Sequence, residues 1–244
     1  GSMQDLCAVT QVANVPVLRK DFMIDNRQFE QAAYCGAGIV LLIAAILEPR
    51  QAWEFHTQAR ELGMETIFEI HSLYEFEPFA QYDWPIIGIN NRNLRDLSTD
   101  LATTEHLVPM LESATHDFVV ISESGIYTHQ DVRRLSPIVD GFLVGSALMA
   151  EDNVAQAVKR LVYGTIKVCG MTRAKDATDV AKMGASYAGL IFAEKSKRYL
   201  SLDDGKDIVA AVPFNYVGVF VDAHVALIVE YASTLGLAAV QLHG

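Results

Sequence analysis

The stretch FVVISESGIYTHQDVRRLSPIVDGFLVGSALM, residues 118–149, contains the unit that repeats along the whole chain. Two short apolar runs, Phe118–Ser122 and Gly141–Gly145, flank an amphipathic segment of helical length. Runs that are apolar at nearly every position are typical of strands buried on both faces, and a helix between two such strands makes a parallel, right-handed crossover. The stretch therefore predicts a βαβ unit.

The same pattern extends over the rest of the sequence. Eight more apolar runs are separated by helical stretches, so the sequence predicts ten strands in all. An alternation this regular is typical of a (β/α) barrel or of an open, doubly wound sheet. The other eight predicted strands are Val15–Arg19, Gly38–Ile43, Thr66–Ile70, Ile86–Asn90, Ile166–Cys169, Tyr187–Phe192, Tyr216–Phe220 and Ala238–Leu242.

Residues suited to binding or catalysis stand at the C-terminal end of nearly every run. In a TIM barrel all strands direct these ends toward one mouth, whereas an open sheet scatters them. No Gly-rich dinucleotide fingerprint follows the first strand, which also disfavours the open sheet. We therefore predict an α/β fold of the parallel TIM-barrel type. The strand-end residues are Lys20, Glu69, Asn90, Glu123, Ser124, Gly145, Ser146, Cys169, Asp222 and His243.

Ten strands do not fit a closed barrel, because one barrel takes eight strands and two barrels take sixteen. Two arrangements remain open: two incomplete barrels, or a hybrid eight-stranded barrel with two extra βα units. The style of the motifs changes at Ile166, although no Pro/Ser/Gly linker marks a boundary. We predict a tag remnant at residues 1–3, a first barrel segment at 4–164 and a second at 165–244.

The composition excludes several classes of partner. The chain has 244 residues, 51% of them hydrophobic, and a formal net charge of -11. Nucleic acids and anionic membranes bind clustered Lys and Arg, so we expect neither as a partner. No apolar run approaches the ~20 residues that span a bilayer. Three cysteines at these spacings match neither a disulfide framework nor a zinc site, which favours a reducing cytoplasm. We expect no metal and no cofactor.

Lys20 and Glu69 are the first pair of candidate catalytic residues. A lysine at a strand end in a barrel mouth is expected to have a lowered pKa and to act as a general acid. Glu69 places a carboxylate in an otherwise apolar strand, where it needs a charged partner such as Lys20. The alternatives are an exposed loop lysine and an ordinary strand-end salt bridge.

Three further motifs predict an anion site. Residues 87–94, IGINNRNL, offer amide and guanidinium donors, and Asp96 is placed to hold Arg92, with a plain turn as the alternative. The fifth and sixth strands end in SESG and GSAL, and each motif is expected to open a helix whose first N–H groups hold phosphate. Ordinary serine N-caps are the alternative. The expected ligand is a phosphorylated small molecule, or inorganic phosphate or sulfate.

Residues 4–163 resemble the indole-3-glycerol phosphate synthase family, and the resemblance rests on five motifs in order. They are VLRKDF (17–22), FEI (68–70), GINNRNL (88–94), SESGI (122–126) and GSALM (145–149). The resemblance implies that VLRKDF lies on the third strand of the family barrel. The first two strands, with the Glu and Lys that the first one carries, are then absent from this sequence.

This resemblance also implies a role for each candidate residue. Lys20 would be the general acid that protonates the substrate carbonyl during ring closure, and Glu69 the general base of the later dehydration. Asn90 and Glu123 would position the substrate. Ser124, Gly125, Gly145 and Ser146 would hold its phosphate, while Arg92 is a further substrate-binding candidate because its own motif offers a guanidinium donor.

From Ile166 onward the chain resembles the first four strands of phosphoribosylanthranilate isomerase. The motifs are KVCGMT (167–172), GLIF (189–192) with SKRY (196–199), VGVFV (217–221) and VQLHG (240–244). The resemblance implies that Cys169 is the general base that removes the C2 proton in the Amadori rearrangement, and that Arg198 binds the anionic substrate. The general-acid aspartate and the phosphate loops of the isomerase's second half are absent from the sequence.

Three functional hypotheses follow. In the first, the chain is a fragment of a bifunctional enzyme that isomerises phosphoribosylanthranilate and then cyclises and decarboxylates the product to indole-3-glycerol phosphate. In the second, it is a non-catalytic hybrid barrel that keeps only the phosphate site, because each active site lacks members that act as a unit. A third hypothesis, an unrelated barrel enzyme for phosphorylated sugars, would require every motif match to be accidental.

The C-terminal strands also predict assembly. A hybrid barrel of eight units leaves residues 213–244 over, and this segment carries two strongly apolar strands. Exposed strands of this kind pair with other chains, and exchange of an identical element is a low-cost route to a dimer. We therefore expect a homo-oligomer formed by strand or domain exchange.

Overall fold

A computed structural model describes residues 1–93, 96–114 and 117–243, and in this part all ten predicted runs are strands. Leu94 of the GINNRNL motif and the terminal Gly244 lie outside the described residues. The strands are β1 Leu18–Arg19, β2 Ile39–Ile43, β3 Glu65–Ile70, β4 Ile86–Asn90, β5 Val119–Glu123, β6 Gly141–Leu143, β7 Lys167–Cys169, β8 Tyr187–Ile191, β9 Tyr216–Val221 and β10 Ala239–His243.

A helix precedes β1, and helices connect most successive strands, as the alternation predicted. Short 3-10 helices cover Ala44–Ile46 and Glu77–Phe79. The α-helices are α1 Met3–Val12, α2 Asn26–Tyr34, α3 Pro49–Glu61, α4 Leu73–Phe76, α5 Ala102–Ala114, α6 His129–Leu135, α7 Ser146–Met149, α8 Val154–Tyr163, α9 Ala174–Met183, α10 Leu202–Ala211 and α11 Val225–Leu235.

The strands form two parallel sheets in the described part of the chain. One has the order β1-β2-β3-β4-β5-β6 and the other the order β10-β9-β8-β7. Within each sheet, every strand pairs in parallel with the next one in sequence, so each connection inside a sheet returns the chain to the same end of that sheet. This sequential parallel order is the arrangement found in the wall of a TIM barrel.

Strand pairing among the described residues does not show the hybrid eight-stranded barrel. It would end at β8, but β8 pairs with β7 on one side and with β9 on the other, and β9 pairs with β10. The physical reason lies in β9, which is buried from Tyr216 to Phe220. A strand this apolar is more stable inside a sheet than as an unpaired surplus segment.

The chain divides into two compact units. The first comprises Gly1–Tyr127 and Asp131–Ala147, and the second comprises Thr128–Gln130 and Leu148–Gly244. Helix α8 lies in the second unit, where Gln156 Nε2 donates to the Ala185 backbone carbonyl at 3.4 Å.

In the first unit the two faces of the six-stranded sheet carry different apolar clusters. On one face, every second residue along the strands, such as Phe68 of β3 and Ile87 of β4, packs with α2, α3 and α5 in the main core. The opposite face holds a smaller cluster around Leu41, Ile43 and Ile67. Because side chains alternate along a strand, the residues that continue this second face at the strand ends are Glu69 and its neighbours on adjacent strands.

Helix ends in both units follow local sequence rules. Asp25 caps α2 through the Arg27 backbone N–H, and Gln28 completes a capping box with it. Ser201 caps α10 in the same way with Asp204. Helix α9 ends at Gly184, whose φ of +98° is a conformation that glycine adopts without steric cost. These ends fix where the chain turns back into the next strand.

The four-stranded sheet has its own core in the second unit. Leu190, Phe192 and Phe220 pack with residues of α9, α10 and α11. The rings of Phe192 and Tyr231 meet edge to face with centroids 4.8 Å apart. Strand β10 forms one edge of the sheet, and its Val240 and Leu242 are exposed.

The cysteine prediction is corrected by the structure. Cys7 and Cys35 form a disulfide with a Cα–Cα distance of 4.5 Å, and Cys169 is a free thiol. This bond could not be predicted from the spacing of the cysteines, because it depends on the packing of α1 against the end of α2, which brings the two residues together. None of the helices in the described part of the chain has the length and hydropathy that a membrane crossing needs.

Candidate functional site

Three charged residues meet at the C-terminal ends of the first unit's strands. Lys20 Nζ, just after β1, lies 3.1 Å from Glu69 Oε2 of β3 and 3.1 Å from Glu123 Oε2 of β5. The Lys20 side chain is 44% exposed, whereas those of Glu69 and Glu123 are 3% and 1% exposed. The predicted pairing of Lys20 with Glu69 is present, with Glu123 as a third member.

Strand register explains why these side chains converge. Glu69 pairs with Gly88 across the sheet, and Asn90 pairs with Glu123, so all four positions lie on the same face. A Cβ atom on Gly88 would clash with Glu123 Oε1 and come within 2.9 Å of Ile67 Cγ2. Glycine at position 88 therefore leaves the space that the Glu123 carboxylate occupies.

The electrostatics of this cluster are dominated by burial. Burial and the nearby Glu69 charge raise the pKa of Glu123 to about 7, against the opposing influence of Lys20. Burial lowers the pKa of Lys20, but the charges of Glu123 and Glu69 outweigh it and the pKa is raised overall. The sequence predicted a lowered lysine pKa, and this was wrong because two carboxylates face the ammonium group.

Asn90 is held between the cluster and the following loop. Its Nδ2 group donates to Glu69 Oε1 at 3.0 Å, and its Oδ1 accepts from the Arg92 backbone N–H at 3.0 Å. Both ends of the amide are thus used to fix Glu69 and the start of the loop. The expected contact of Asp96 with Arg92 is not among the ion pairs of the described residues, since the Asp96 carboxylate accepts from Ser98 instead.

Asn91 was quoted in a motif but given no role. Its Nδ2 group is 3.0 Å from each of three acceptors: Ser122 Oγ and the backbone carbonyls of Glu123 and Ser124. Its Oδ1 accepts from the backbone N–H and the hydroxyl of Thr104. The side chain therefore ties the start of α5 to the end of β5. The two consecutive asparagines could have predicted this role. Side chains alternate along a strand, so if Asn90 points to one side of the sheet, Asn91 points to the other.

His71 was also missed by the sequence reasoning. Its Nδ1 lies 3.1 Å from Glu75 Oε2, and its Nε2 lies 3.5 Å from Glu69 Oε1. The side chain is 10% exposed. A histidine two residues after a strand-end glutamate was the signal that could have found it.

The four predicted phosphate-binding residues line one cavity. It has a volume of about 270 Å³, and Lys20 and Arg92 also line it. The full set of lining residues is Lys20, Arg92, Ser124, Gly125, Ile126, Tyr127, Leu143, Val144, Gly145, Ser146 and Ala147. Fold topology alone thus brings the two predicted loops together beside the charged cluster.

One part of the loop prediction was wrong. Ser124 does not open a helix, because α6 begins only at His129. Ser124 and Gly125 have φ values of +64° and +77°, so the chain after β5 makes a turn in left-handed backbone before α6 begins. Ser146 does begin α7, a helix of four residues.

In the second unit, Cys169 and Arg198 lie together at the C-terminal end of β7. Arg198 Nη1 donates to the Cys169 backbone carbonyl at 2.9 Å. A Cβ atom on Gly170 would lie 2.7 Å from Arg198 Cδ, and one on Gly189 would lie 2.6 Å from Cys169 Sγ. The two glycines therefore leave room for the guanidinium and the thiol at this end of the sheet.

Three further polar residues of the four-stranded sheet form a cluster near Cys169's strand. Lys167 Nζ of β7 donates to Gln241 Oε1 of β10, and Gln241 Nε2 lies 2.6 Å from His243 Nε2. The sequence named only His243 among these three as a strand-end residue. Alternating parity places Lys167 on the same face of β7 as Cys169.

Comparison with known protein families gives two matches that divide the chain between them. Residues 1–161 match "Indole-3-glycerol phosphate synthase", which is well over half of the sequence. The chain belongs to the indole-3-glycerol phosphate synthase family. Residues 166–244 match "N-(5'phosphoribosyl)anthranilate (PRA) isomerase". This chain is therefore a synthase segment followed by an isomerase segment.

Relatives with both segments are known. The "Tryptophan biosynthesis protein TrpCF" of Vibrio parahaemolyticus is 44% identical over 244 residues, which is 100% of this chain and 51% of that protein. The protein of the same name from Salmonella typhi is 44% identical over all of this chain and 53% of its own length. This member of the synthase family thus spans about half the length of the curated relatives it matches.

Among solved structures, 3-hexulose-6-phosphate synthase from Salmonella typhimurium shares the fold. The TM-score is 0.53 at 13% identity, over 65% of this chain and 77% of that one. At this identity the likeness concerns the parallel α/β architecture alone.

Proposed function

We propose that the chain carries parts of two active sites, one for each enzyme activity of tryptophan biosynthesis. The first would belong to the lyase that cyclises and decarboxylates carboxyphenylamino-deoxyribulose phosphate to indole-3-glycerol phosphate. The second would belong to the isomerase that forms this substrate from phosphoribosylanthranilate. The contact of Lys20 Nζ with both Glu69 and Glu123 at 3.1 Å is the observation that carries the proposal.

In the lyase site, Lys20 is the general acid that protonates the substrate carbonyl, and Glu69 is the general base of the dehydration. The raised pKa of Lys20 supports a protonated donor at neutral pH. Glu123 positions the substrate together with Asn90. Glu123 Oε1 supports this role, because it is buried with no hydrogen-bond partner in the described part of the chain and can accept from a substrate hydroxyl.

The substrate phosphate binds in the cavity between the two loops. Ser124, Gly125, Gly145 and Ser146 supply its donors, and Arg92 binds another anionic part of the substrate. Their shared cavity of about 270 Å³, with Lys20 at its wall, supports this assignment. Phosphate at this end of a parallel barrel sheet is a common feature of the fold.

In the isomerase site, Cys169 is the general base for the C2 proton and Arg198 binds the anionic substrate. Their proximity supports these roles, since Arg198 Nη1 reaches the carbonyl of Cys169 itself. Neither site needs a metal or an organic cofactor for the proposed steps.

Each sheet is proposed to be one part of a TIM barrel, with the segments bounded at residues 4–164 and 165–244 after a tag remnant at 1–3. The family matches, which end at residue 161 and begin at 166, support the boundary. The half-length match to the relatives supports the idea that further strands complete both barrels. A chain without them would keep phosphate binding and lose most of its turnover.

A homo-oligomer is proposed from the edge of the second sheet. The apolar side chains of Val225, Val229, Val240 and Leu242 are exposed on α11 and β10. Apolar edge strands pair with other chains. Light scattering should give more than one chain per particle, whereas a monodisperse monomer of 26.8 kDa would contradict this.

A cytoplasmic location also stays a proposal.

A matched pair of substitutions tests the phosphate site. A Cβ atom on Gly145 meets nothing within 4 Å, so both Gly145→Asp and Gly145→Asn fit sterically. A carboxylate about 5 Å from phosphate opposes binding by roughly 1–3 kcal/mol, so the Asp variant should bind inorganic phosphate at least about tenfold more weakly than the Asn variant. Calorimetry measures both. Equal affinities, or no binding by the unmodified chain, would contradict the proposed function.

A further inference from the structure

His71 connects the proposed general base of the lyase site with a more accessible carboxylate. Its imidazole lies between Glu69, whose Oε1 is 3.5 Å from Nε2, and Glu75, whose Oε2 is 3.1 Å from Nδ1. Glu75 is 28% exposed, against 3% for Glu69. The order Glu69, His71, Glu75 therefore runs from a buried group toward the surface.

The two nitrogens of His71 are in different situations. Nδ1 has a hydrogen bond to Glu75, and the same carboxylate accepts from the His71 backbone N–H at 2.9 Å. Nε2 is buried with no hydrogen-bond partner in the described residues, and it faces Glu69. An unpaired buried nitrogen is costly, so a role that uses it needs to be considered.

The far end of this chain of groups opens to a cavity. His71 and Glu75 line a cavity of about 480 Å³ whose wall also includes Asn90, Arg92 and Asp100. Burial raises the pKa of Glu75, but hydrogen bonds from His71 outweigh it and hold the pKa below its usual value. Glu75 is thus an ionised acceptor beside open space, as the outer end of a proton path requires.

We propose that His71 is a proton relay for Glu69, passing the proton that Glu69 removes from substrate to Glu75 and so to solvent. The proposal rests on the proposed function, since it needs Glu69 as the base. The Glu69 O–H bond breaks as an N–H bond forms at Nε2, and the imidazolium then loses its Nδ1 proton to the Glu75 carboxylate. Exchange with water in the cavity restores the starting tautomer.

The charges around His71 define what the relay should do. Glu69 faces it from β3 and Glu75 from α4, while Lys20 lies beyond Glu69 and Arg92 and Asp100 line the cavity. A histidine that only capped the strand end would depend on Glu75 and be indifferent to Glu69.

Nitrogen-15 NMR of the whole chain without ligand separates these cases. The relay predicts that Glu69→Gln moves the nitrogen-15 resonance of His71 Nε2, which faces Glu69, more than that of Nδ1, which is bonded to Glu75. The matched control is Glu65→Gln at the other end of β3, where Glu65 pairs with Arg60, and it should leave both resonances unchanged. No difference between Glu69→Gln and the control would overturn the relay.

A second measurement tests the exit of the proton and does not depend on how Glu69→Gln folds. Glu75→Gln should slow exchange of the His71 Nδ1 proton with water by about tenfold, because the outer acceptor is lost. Exchange at the unmodified rate would sink the relay. The phosphate titration is independent of both readouts, so failure of the relay with intact phosphate binding leaves the proposed function standing.

Discussion

The two sheets hold their candidate catalytic groups differently. In the six-stranded sheet, Glu69 and Glu123 lie on inner strands with neighbours on both sides, and both carboxylates are buried around Lys20. In the four-stranded sheet, Cys169 lies on the edge strand β7, its thiol is half-buried and Arg198 is exposed. A strand on each side allows a polar group to be buried with its partners, so the candidate groups of the first sheet are more deeply buried than those of the second.

The largest effect is expected on turnover. If the remaining strands of both barrels carry members of the catalytic sets, both activities of this chain should lie at least about a thousandfold below those of the longer relatives. Steady-state assays with each substrate measure this. Turnover near that of the relatives would show that the first site, the second site or both are complete as they stand.

The cores of the two sheets should also respond differently. Phe68 of β3 is fully buried and stacks on Trp84 with ring centroids 3.9 Å apart, whereas Val240 of the edge strand β10 is 41% exposed. Phe68→Ala should lower the free energy of unfolding by about 3–5 kcal/mol. Val240→Ala should change it by about 0.5 kcal/mol or less. Urea denaturation of both variants checks the contrast, and similar losses would contradict it.

The buried charge cluster of the first sheet predicts that the stability of the chain depends on pH. Since the folded pKa of Glu123 is about 7 and its ordinary value is 4.5, the folded state holds this proton more tightly. Its contribution to stability is therefore present below pH 4.5 and is lost as pH rises through about 7. Lys20, with a raised pKa, stays charged across this window.

Glu123→Gln removes this titration while keeping the shape of the side chain. Between pH 4.5 and 8 the chain should lose about 1–3 kcal/mol of stability relative to Glu123→Gln. Glu65→Gln, which alters an exposed pair with Arg60, is the control and should follow the unmodified chain. Parallel stability curves for the unmodified chain and Glu123→Gln would show that the cluster does not hold the proton.

The smallest effect concerns the thiols. Cys169 is free and half-buried, whereas Cys7 and Cys35 are joined. Titration of the native chain with a thiol reagent should find one thiol, and reduction in denaturant should expose two more. Three reactive thiols in the native, unreduced chain would contradict the disulfide and would agree with the reducing environment expected from the sequence.

The sequence was sufficient for the strands because local patterning determines them. All ten apolar runs became strands, and parallel crossovers brought Lys20, Glu69, Asn90 and Glu123 to one end. A hybrid barrel requires β8 to pair with β1, whereas the structure pairs β8 with β9. The choice between these pairings depends on long-range contacts, and the local pattern of apolar residues does not predict them. The Cys7–Cys35 bond is unpredictable for the same reason.

Electrostatic properties were harder to predict than positions. The strand-end location of Lys20 was correct, but the direction of its pKa shift was wrong, because that direction depends on how many carboxylates reach it. The roles of His71 and Asn91 likewise depend on contacts across the sheet and between loop and helix. Residue type and spacing indicate which groups are available, and the fold decides which of them interact.

A crystal structure of this chain grown in sulfate tests the central claim most directly. We predict a sulfate between the loops after β5 and β6, within hydrogen-bond distance of Gly125 and Ser146. Lys20 Nζ should remain within about 3 Å of Glu69 and Glu123, the range of a charge-assisted hydrogen bond. Loops separated by more than ~10 Å, roughly twice the spacing of neighbouring strands, or a lysine turned away from both carboxylates, would contradict the account.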